Sequence, residues 1–159
     1  DISSFNSACH VLQPLRSQRD QEALQRGVAD GTLDAICSDH QPHDTDAKEA
    51  TFVSTEPGIS ALANLLHQVR RLDDQGVIDI QTGIRAITST RAAILGMNTG
   101  TLSIGAAADI CIFNPHANWQ LNESNIHSSG KNSPFMGWSF QTRVEHTIVG
   151  GTLIHSHAG

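Results

Sequence analysis

Ala35-Ile36-Cys37-Ser38-Asp39-His40-Gln41-Pro42-His43-Asp44 decides how the rest of this chain is read. A short apolar run ends in carboxylates, imidazoles and a proline, the pattern of a strand that surfaces into a loop. Where strands and helices alternate around a closed sheet, reacting groups sit at the C-terminal ends of the strands. Asp39 is therefore the first candidate for chemistry. A carboxylate there can ligate a metal ion, or take a proton from a metal-bound water and return it. The plain structural alternative is a turn or helix-capping carboxylate.

Working outward, the 8–12 stretch reads as a short strand closed by Pro14, because proline cannot continue a ladder. Ser17 and Asp20 form an approximate capping box, opening a helix to about Val28 with Ala23, Leu24 and Val28 on its apolar face. Asp30-Gly31 breaks it and 33–37 forms the next strand, giving strand, helix, strand. Residues 44–56 are polar and acidic without a sustained period, hence a loop. Ile59, Leu62, Leu65, Leu66, Val69 and Leu72 recur at helical spacing, predicting an amphipathic helix from about Gly58. Uncovered N–H groups at such a start attract a carboxylate or a polar ring oxygen, and the plain alternative is a turn glycine. Asp79 caps a short helix, and Ser89 or Thr90 opens another that ends at Gly96.

After about Asn98 the character changes to short strands at 100–102, 108–113 and 119–121. A final hairpin pairs 144–149 with 152–155 around Gly150-Gly151. Between them, 122–137 reads as a connector packing Phe135 and Trp138.

Ser38-Asp39-His40-Gln41-Pro42-His43 resembles the Asp-His-x-Pro-His motif that follows the eighth barrel strand of dihydroorotases in the amidohydrolase superfamily. Gln13-Pro14-Leu15-Arg16, Glu56-Pro57-Gly58 and Gly130-Lys131-Asn132-Ser133-Pro134-Phe135 fall where that family has similar segments, in the same order. Ordered segments spread over most of a chain are far more specific than one short motif. A complete barrel takes about 250 residues, and this chain has 159. The resemblance therefore implies an α/β fold: the last two strands and helices of a (β/α)8 metal-dependent hydrolase barrel over 1–98. Strands of a small C-terminal β-sandwich domain follow over 99–159. The sandwich segment that precedes the barrel in the family is absent from this sequence, so some strands are expected to expose edges.

The implied activity is the reversible cyclisation of N-carbamoyl-L-aspartate to L-dihydroorotate in de novo pyrimidine biosynthesis. Zinc would lower the pKa of a bound water and polarise the carbonyl. By motif position, Asp39 is the residue that touches metal and shuttles the proton, so it is both the catalytic and the metal-ligating candidate. His43 matches the histidine that reaches substrate, and backbone around Pro57 and Gly58 matches the segment lining the substrate ring. His40, next to Asp39, points another way on an extended chain and is a supporting or packing residue. The family's other zinc ligands are expected upstream of residue 1. Catalytic zinc takes about three protein ligands, so this segment alone is expected to be inactive. His155-Ser156-His157 has the spelling of a ligand pair without companions.

One departure opens a second reading. Active members carry Asn-Pro-Pro-Leu-Arg at the end of the seventh strand, whereas this chain has Leu12-Gln13-Pro14-Leu15-Arg16. Leucine cannot make the hydrogen bond of that asparagine. With Ser17 and the Cys37-Ser38-Asp39-His40 run, the pattern is similar to inactive dihydroorotase-like chains that serve as structural partners of aspartate transcarbamoylase. Retention of His43 leans towards the enzymes. A weaker third reading is another cyclic amidohydrolase of the dihydropyrimidinase or allantoinase type.

A formal charge of −6, with ten Lys and Arg spread thinly, offers no basic stripe to phosphate backbones and excludes nucleic acid. No apolar run approaches the roughly 20 residues of a membrane span, and no basic-then-apolar signal pattern opens the chain. A cytoplasmic protein that binds a small-molecule substrate and forms a homo-oligomer is the expectation. Cys9, Cys37 and Cys111 are too far apart for a CxxC pair and suit reduced thiols, with Cys37 and Cys111 as small core residues.

Overall fold

The computed structural model describes residues 4–157. They form two compact units. The first comprises the chain up to Gln21, Cys37–Leu65 and Gln120–Ser139; the second comprises Glu22–Ile36, Leu66–Trp119 and the chain from Phe140.

In the first unit the strand expected at 8–12 is instead a 3-10 turn, Ser7–Cys9. Asn6 draws the chain into it by accepting the Ala8 N–H at 3.0 Å. Helix α1, Gln18–Ala29, starts where the capping box places it and from Glu22 onward, like most of the 33–37 run, belongs to the second unit. Ser17 N–H donates to Asp20 Oδ2 at 3.2 Å, and Asp20 N–H donates to Ser17 Oγ at 3.3 Å. The 33–37 strand does not form. An apolar run becomes a strand only beside a partner in a ladder, and here Leu33 N–H turns back to Gly27 O at 2.8 Å while Ile36 N–H reaches Ala86 O at 3.1 Å. The strand-helix-strand unit expected there is thus absent among the described residues.

The 44–56 loop contains two 3-10 turns, Thr45–Lys48 and Phe52–Ser54. The helix expected from Gly58 starts later, as a 3-10 turn Leu62–Asn64 leading into α2, Leu65–Asp74. Ile59 fits the helical spacing, yet it pairs with His40 in a parallel bridge and stays extended. The interior of this unit is largely polar: Thr55, Ser60, Asn64 and Ser133 are buried alongside Leu121 and Ile126. Hydrogen bonds rather than apolar area must hold it, because buried polar groups are costly unless paired.

The second unit packs α3, Ile80–Ile87, and α4, Ser89–Ile94, with Val69, Ile78, Ala86 and Ala92 buried. Asp79 caps α3 by accepting the Thr82 N–H at 2.9 Å. That bond, with one from the Thr82 hydroxyl, holds the Asp79 carboxyl below the ordinary carboxylate range. Close approach is made possible by Gly83, where a Cβ would lie 2.4 Å from Val69 Cγ1.

Strand β1 is Ile110–Asn114. Strands β2, Trp119–Gln120, and β3, Ser139–Phe140, pair with each other. Strands β4, Arg143–Val149, and β5, Thr152–Ser156, join β1 in an antiparallel sheet of order β1-β4-β5. Gly150 and Gly151 turn the hairpin at φ 55° and 80°, the left-handed pair that a two-residue type I′ turn requires. The strand expected at 100–102 is not formed; the chain there makes local turn bonds, with Ser103 N–H on Thr101 Oγ1 at 3.2 Å. Cys37 and Cys111 are exposed rather than core, Cys111 lying on β1 beside the equally exposed Ile112. Phe135 and Trp138 do pack, edge to face at 5.2 Å between ring centroids.

His67 of α2 is buried against aromatic rings. It stacks on Phe140 at 4.4 Å and 12°, meets Trp119 edge-on at 4.9 Å, and shares a hydrogen bond with the Thr142 hydroxyl. Burial lowers its pKa to about 4, so the ring is neutral. Among the described residues no helix is long and apolar enough to cross a membrane.

Candidate active site

The first unit brings Asp39, His40, His43, Pro57 and Gly58 together. His40 bridges Ile59 in parallel, and Gln41 N–H donates to Ile59 O at 2.9 Å. The segment after Asp39 therefore lies directly beside the Pro57-Gly58 segment.

Asp39 is exposed and has φ +43°, in the left-handed region. Such a backbone costs an L residue roughly 1–2 kcal/mol, and Asp and Asn tolerate it better than most. A positive φ also interrupts any extended run, a further reason why no strand leads into it. Oδ1 accepts from the Gln41 side-chain amide at 3.1 Å. An ionised carboxylate has acceptor positions beyond that one, so Asp39 retains the capacity to bind a cation or take a proton.

His40 is the supporting residue the sequence suggests, with a definite task. Its Nδ1 accepts the N–H groups of Ala61 and Leu62, both at 3.1 Å. Nδ1 is therefore unprotonated, and Nε2–H points to Ser128 Oγ at 3.3 Å. The imidazole thus satisfies donors at the start of the turn that leads into α2.

His43 is half-buried. Its N–H donates to Asn132 Oδ1 at 2.7 Å, and Nε2 lies 3.1 Å from the Pro57 carbonyl. Gly58 has φ +147°, and a Cβ there would meet Gln41 Cβ at 2.7 Å and His43 Nε2 at 2.9 Å. Only glycine fits.

The open anion slot expected at Gly58 is corrected by this geometry. Gly58 is not at a helix start, and its N–H donates to His10 O at 2.8 Å. The N–H groups of Ser60, Ala61 and Leu62 are engaged as well, the first by Asn132 O and the other two by His40. Pro57 and Gly58 are left with the second lone pairs of their carbonyls.

Around this cluster, His10 O also accepts from Lys48 Nζ at 3.2 Å, and Lys48 reaches Glu56 O at 2.6 Å. Burial lowers the Lys48 pKa, the Glu56 carboxylate opposing the shift. His10 Nδ1 lies 2.9 Å from Thr55 Oγ1, whose own proton goes to Phe52 O. Leu12 is exposed and contributes no polar group.

The sequence missed Asn132. It belongs to a quoted segment, but that segment reads as a connector, and only the fold shows its side chain crossing to residues 41–58. No local pattern could have revealed a contact across about ninety positions.

Among the described residues no three His, Cys, Asp or Glu converge as a ligand group. Asp39 alone does not meet the about three protein ligands that catalytic zinc takes. The terminal histidines do not complete a set.

Known proteins place the chain in a family. The sequence profile of the amidohydrolase family matches residues 7–154. A dihydroorotase of Citrifermentans bemidjiense is 39% identical over 97% of this chain and 36% of its own length. A dihydroorotase-like protein of Pseudomonas aeruginosa is 42% identical over the same shares. Among solved structures, a dihydropyrimidinase from Brevibacillus agri superposes with TM-score 0.86 at 20% identity, covering 94% of this chain and 34% of that one. An L-hydantoinase from Arthrobacter aurescens gives 0.83 at 22%, covering 99% and 36%. At those identities the structures speak for the fold alone, an α/β amidohydrolase fold. The chain spans about a third of the length of the relatives it matches. With the family profile running through nearly every element, including the Asp39–His43 and Pro57-Gly58 segments, this chain belongs to the amidohydrolase family.

Proposed function

We propose that the full-length protein is a dihydroorotase, interconverting N-carbamoyl-L-aspartate and L-dihydroorotate in pyrimidine biosynthesis. The observation that carries this is the side-by-side seating of 39–43 and 57–59, in a chain 39% identical to a protein named dihydroorotase. In this reading Asp39 takes a proton from the attacking water and returns it to the leaving nitrogen. His43 contacts the substrate, and the Pro57 and Gly58 carbonyls line its ring. Zinc, when bound, would supply Lewis-acid activation, with Asp39 as one ligand. Asp39 alone falls short of the about three protein ligands that catalytic zinc takes, and this reading looks to the rest of the full-length protein for the others. A (β/α)8 barrel over 1–98, sandwich strands over 99–159, a cytoplasmic location and a homo-oligomer belong to the same proposal.

The test is dihydroorotate turnover by the full-length protein. Asp39→Asn is expected to lower kcat by roughly a thousandfold, the scale of a lost general base. Full activity in that variant, or none in the wild type, would defeat the reading.

Leu12 favours a second one. Exposed and without a hydrogen-bonding group, it stands where active members carry Asn, and the Pseudomonas aeruginosa relative is named dihydroorotase-like. A scaffold subunit holding aspartate transcarbamoylase would show no turnover, and transcarbamoylase assembly would depend on it. Assembly unchanged in its absence would remove this alternative. Turnover of a dihydropyrimidine or allantoin, but not of dihydroorotate, would point to another cyclic amidohydrolase.

A further inference from the structure

The Asn132 side chain holds three backbone points of the candidate site at once. Oδ1 accepts the His43 N–H at 2.7 Å, and Nδ2 donates to the carbonyls of Gln41 at 3.2 Å and Gly58 at 3.0 Å. The partners fix the orientation of the amide, since an N–H requires the oxygen and two carbonyls require the nitrogen. The Asn132 backbone adds a fourth tie, its carbonyl accepting the Ser60 N–H at 2.9 Å. Gly130 closes the same contact: a Cβ there would lie 2.5 Å from both the N and the O of His43. Residues 130–132 therefore bear directly on the backbone of His43.

The consequence reaches the ring. The Pro57 carbonyl only accepts, so the His43 nitrogen 3.1 Å from it, Nε2, carries a proton. Nδ1 is then the nitrogen left to meet a ligand. That choice holds only while 41–43 stays docked on 57–58, which is what the carboxamide enforces.

We propose that Asn132 is a positioning residue for His43, locking its Nε2–H onto Pro57 and presenting Nδ1, so that it governs substrate affinity without touching substrate. The affinity consequence rests on the reading of His43 as a substrate contact; the tautomer consequence does not.

The test uses full-length protein. Asn132→Asp keeps the acceptor for His43 N–H and loses both donors. KM for dihydroorotate is expected to rise about tenfold with kcat changed far less, the mark of lost uniform binding. The imidazole 15N shifts of His43 should move away from the single Nε2–H form. Asn132→Gln, which restores an amide on a longer stem, should recover part of the KM. Asn64→Ala, which removes a buried partner of Ser133 without touching His43, should destabilise the protein and leave KM in place. Unchanged KM and unchanged His43 shifts in Asn132→Asp overturn the proposal. If that variant does not fold, hydrogen exchange in the wild type decides: a protected His43 amide supports the clamp, and a rapidly exchanging one overturns it. A wild type without turnover would defeat the functional reading, while the 15N and exchange measurements would still judge the clamp.

Discussion

At Asp39 two demands meet, since the side chain suggested by its motif sits on a backbone that glycine would adopt with less strain. Asp39→Gly should therefore stabilise the chain by about 1 kcal/mol in denaturant unfolding while removing the carboxylate, separating strain from chemistry. A result of equal or lower stability would show the Gln41 bond outweighing the strain. Gly58 behaves oppositely. Its φ of +147° and the 2.7 Å approach of Gln41 mean that Gly58→Ala should cost more than about 2 kcal/mol, read from the same unfolding curve. Asp39, His43 and Gly58 stood out as candidates in the sequence because short motifs name residues. What the motifs could not give was the state of each residue, because a positive φ, an imidazole tautomer and an engaged N–H are set by neighbours distant along the chain.

Among elements, the helices were legible and the first strands were not. Capping residues act within one turn, so Ser17 with Asp20 and Asp79 with Thr82 announce α1 and α3 locally. Ser17→Ala should lower stability by about 1 kcal/mol, as a lost cap does, measured by thermal or urea unfolding. The runs at 8–12 and 33–37 carry strand composition, but a strand also needs a neighbour in the ladder, which composition does not reveal. Periodicity likewise placed Ile59 in α2, and its bridge to His40 keeps it out. On α2, His67 makes stability depend on pH. Its folded pKa of about 4 lies below the ordinary 6.5, so the unfolded chain binds the extra proton. This contribution is complete above about pH 6.5, falls as pH drops towards 4, and amounts to roughly 3 kcal/mol between those limits. His67→Phe should flatten that part of the stability profile; an unchanged slope would place the titration elsewhere.

For the whole chain, apolar surface is the governing quantity. The buried apolar residues of the described chain include three alanines, while Val53, Leu102 and Ile104 stand 80% exposed or more. A chain with this balance should bind the dye ANS in its folded state and show a shallow urea transition, whereas a sharp transition without dye binding would mean the exposed side chains repack in solution. The division into two compact units was not legible either, because each gathers three separate stretches of sequence. Finally, the sheet of order β1-β4-β5 ends on two strands, Ile110–Asn114 and Thr152–Ser156, that contain neither proline nor lysine. Unblunted margins of this kind template the growth of further strands, so concentrated stocks of the chain should drift towards thioflavin-positive fibrils. Ile154→Lys would be the gatekeeper that keeps such stocks clear.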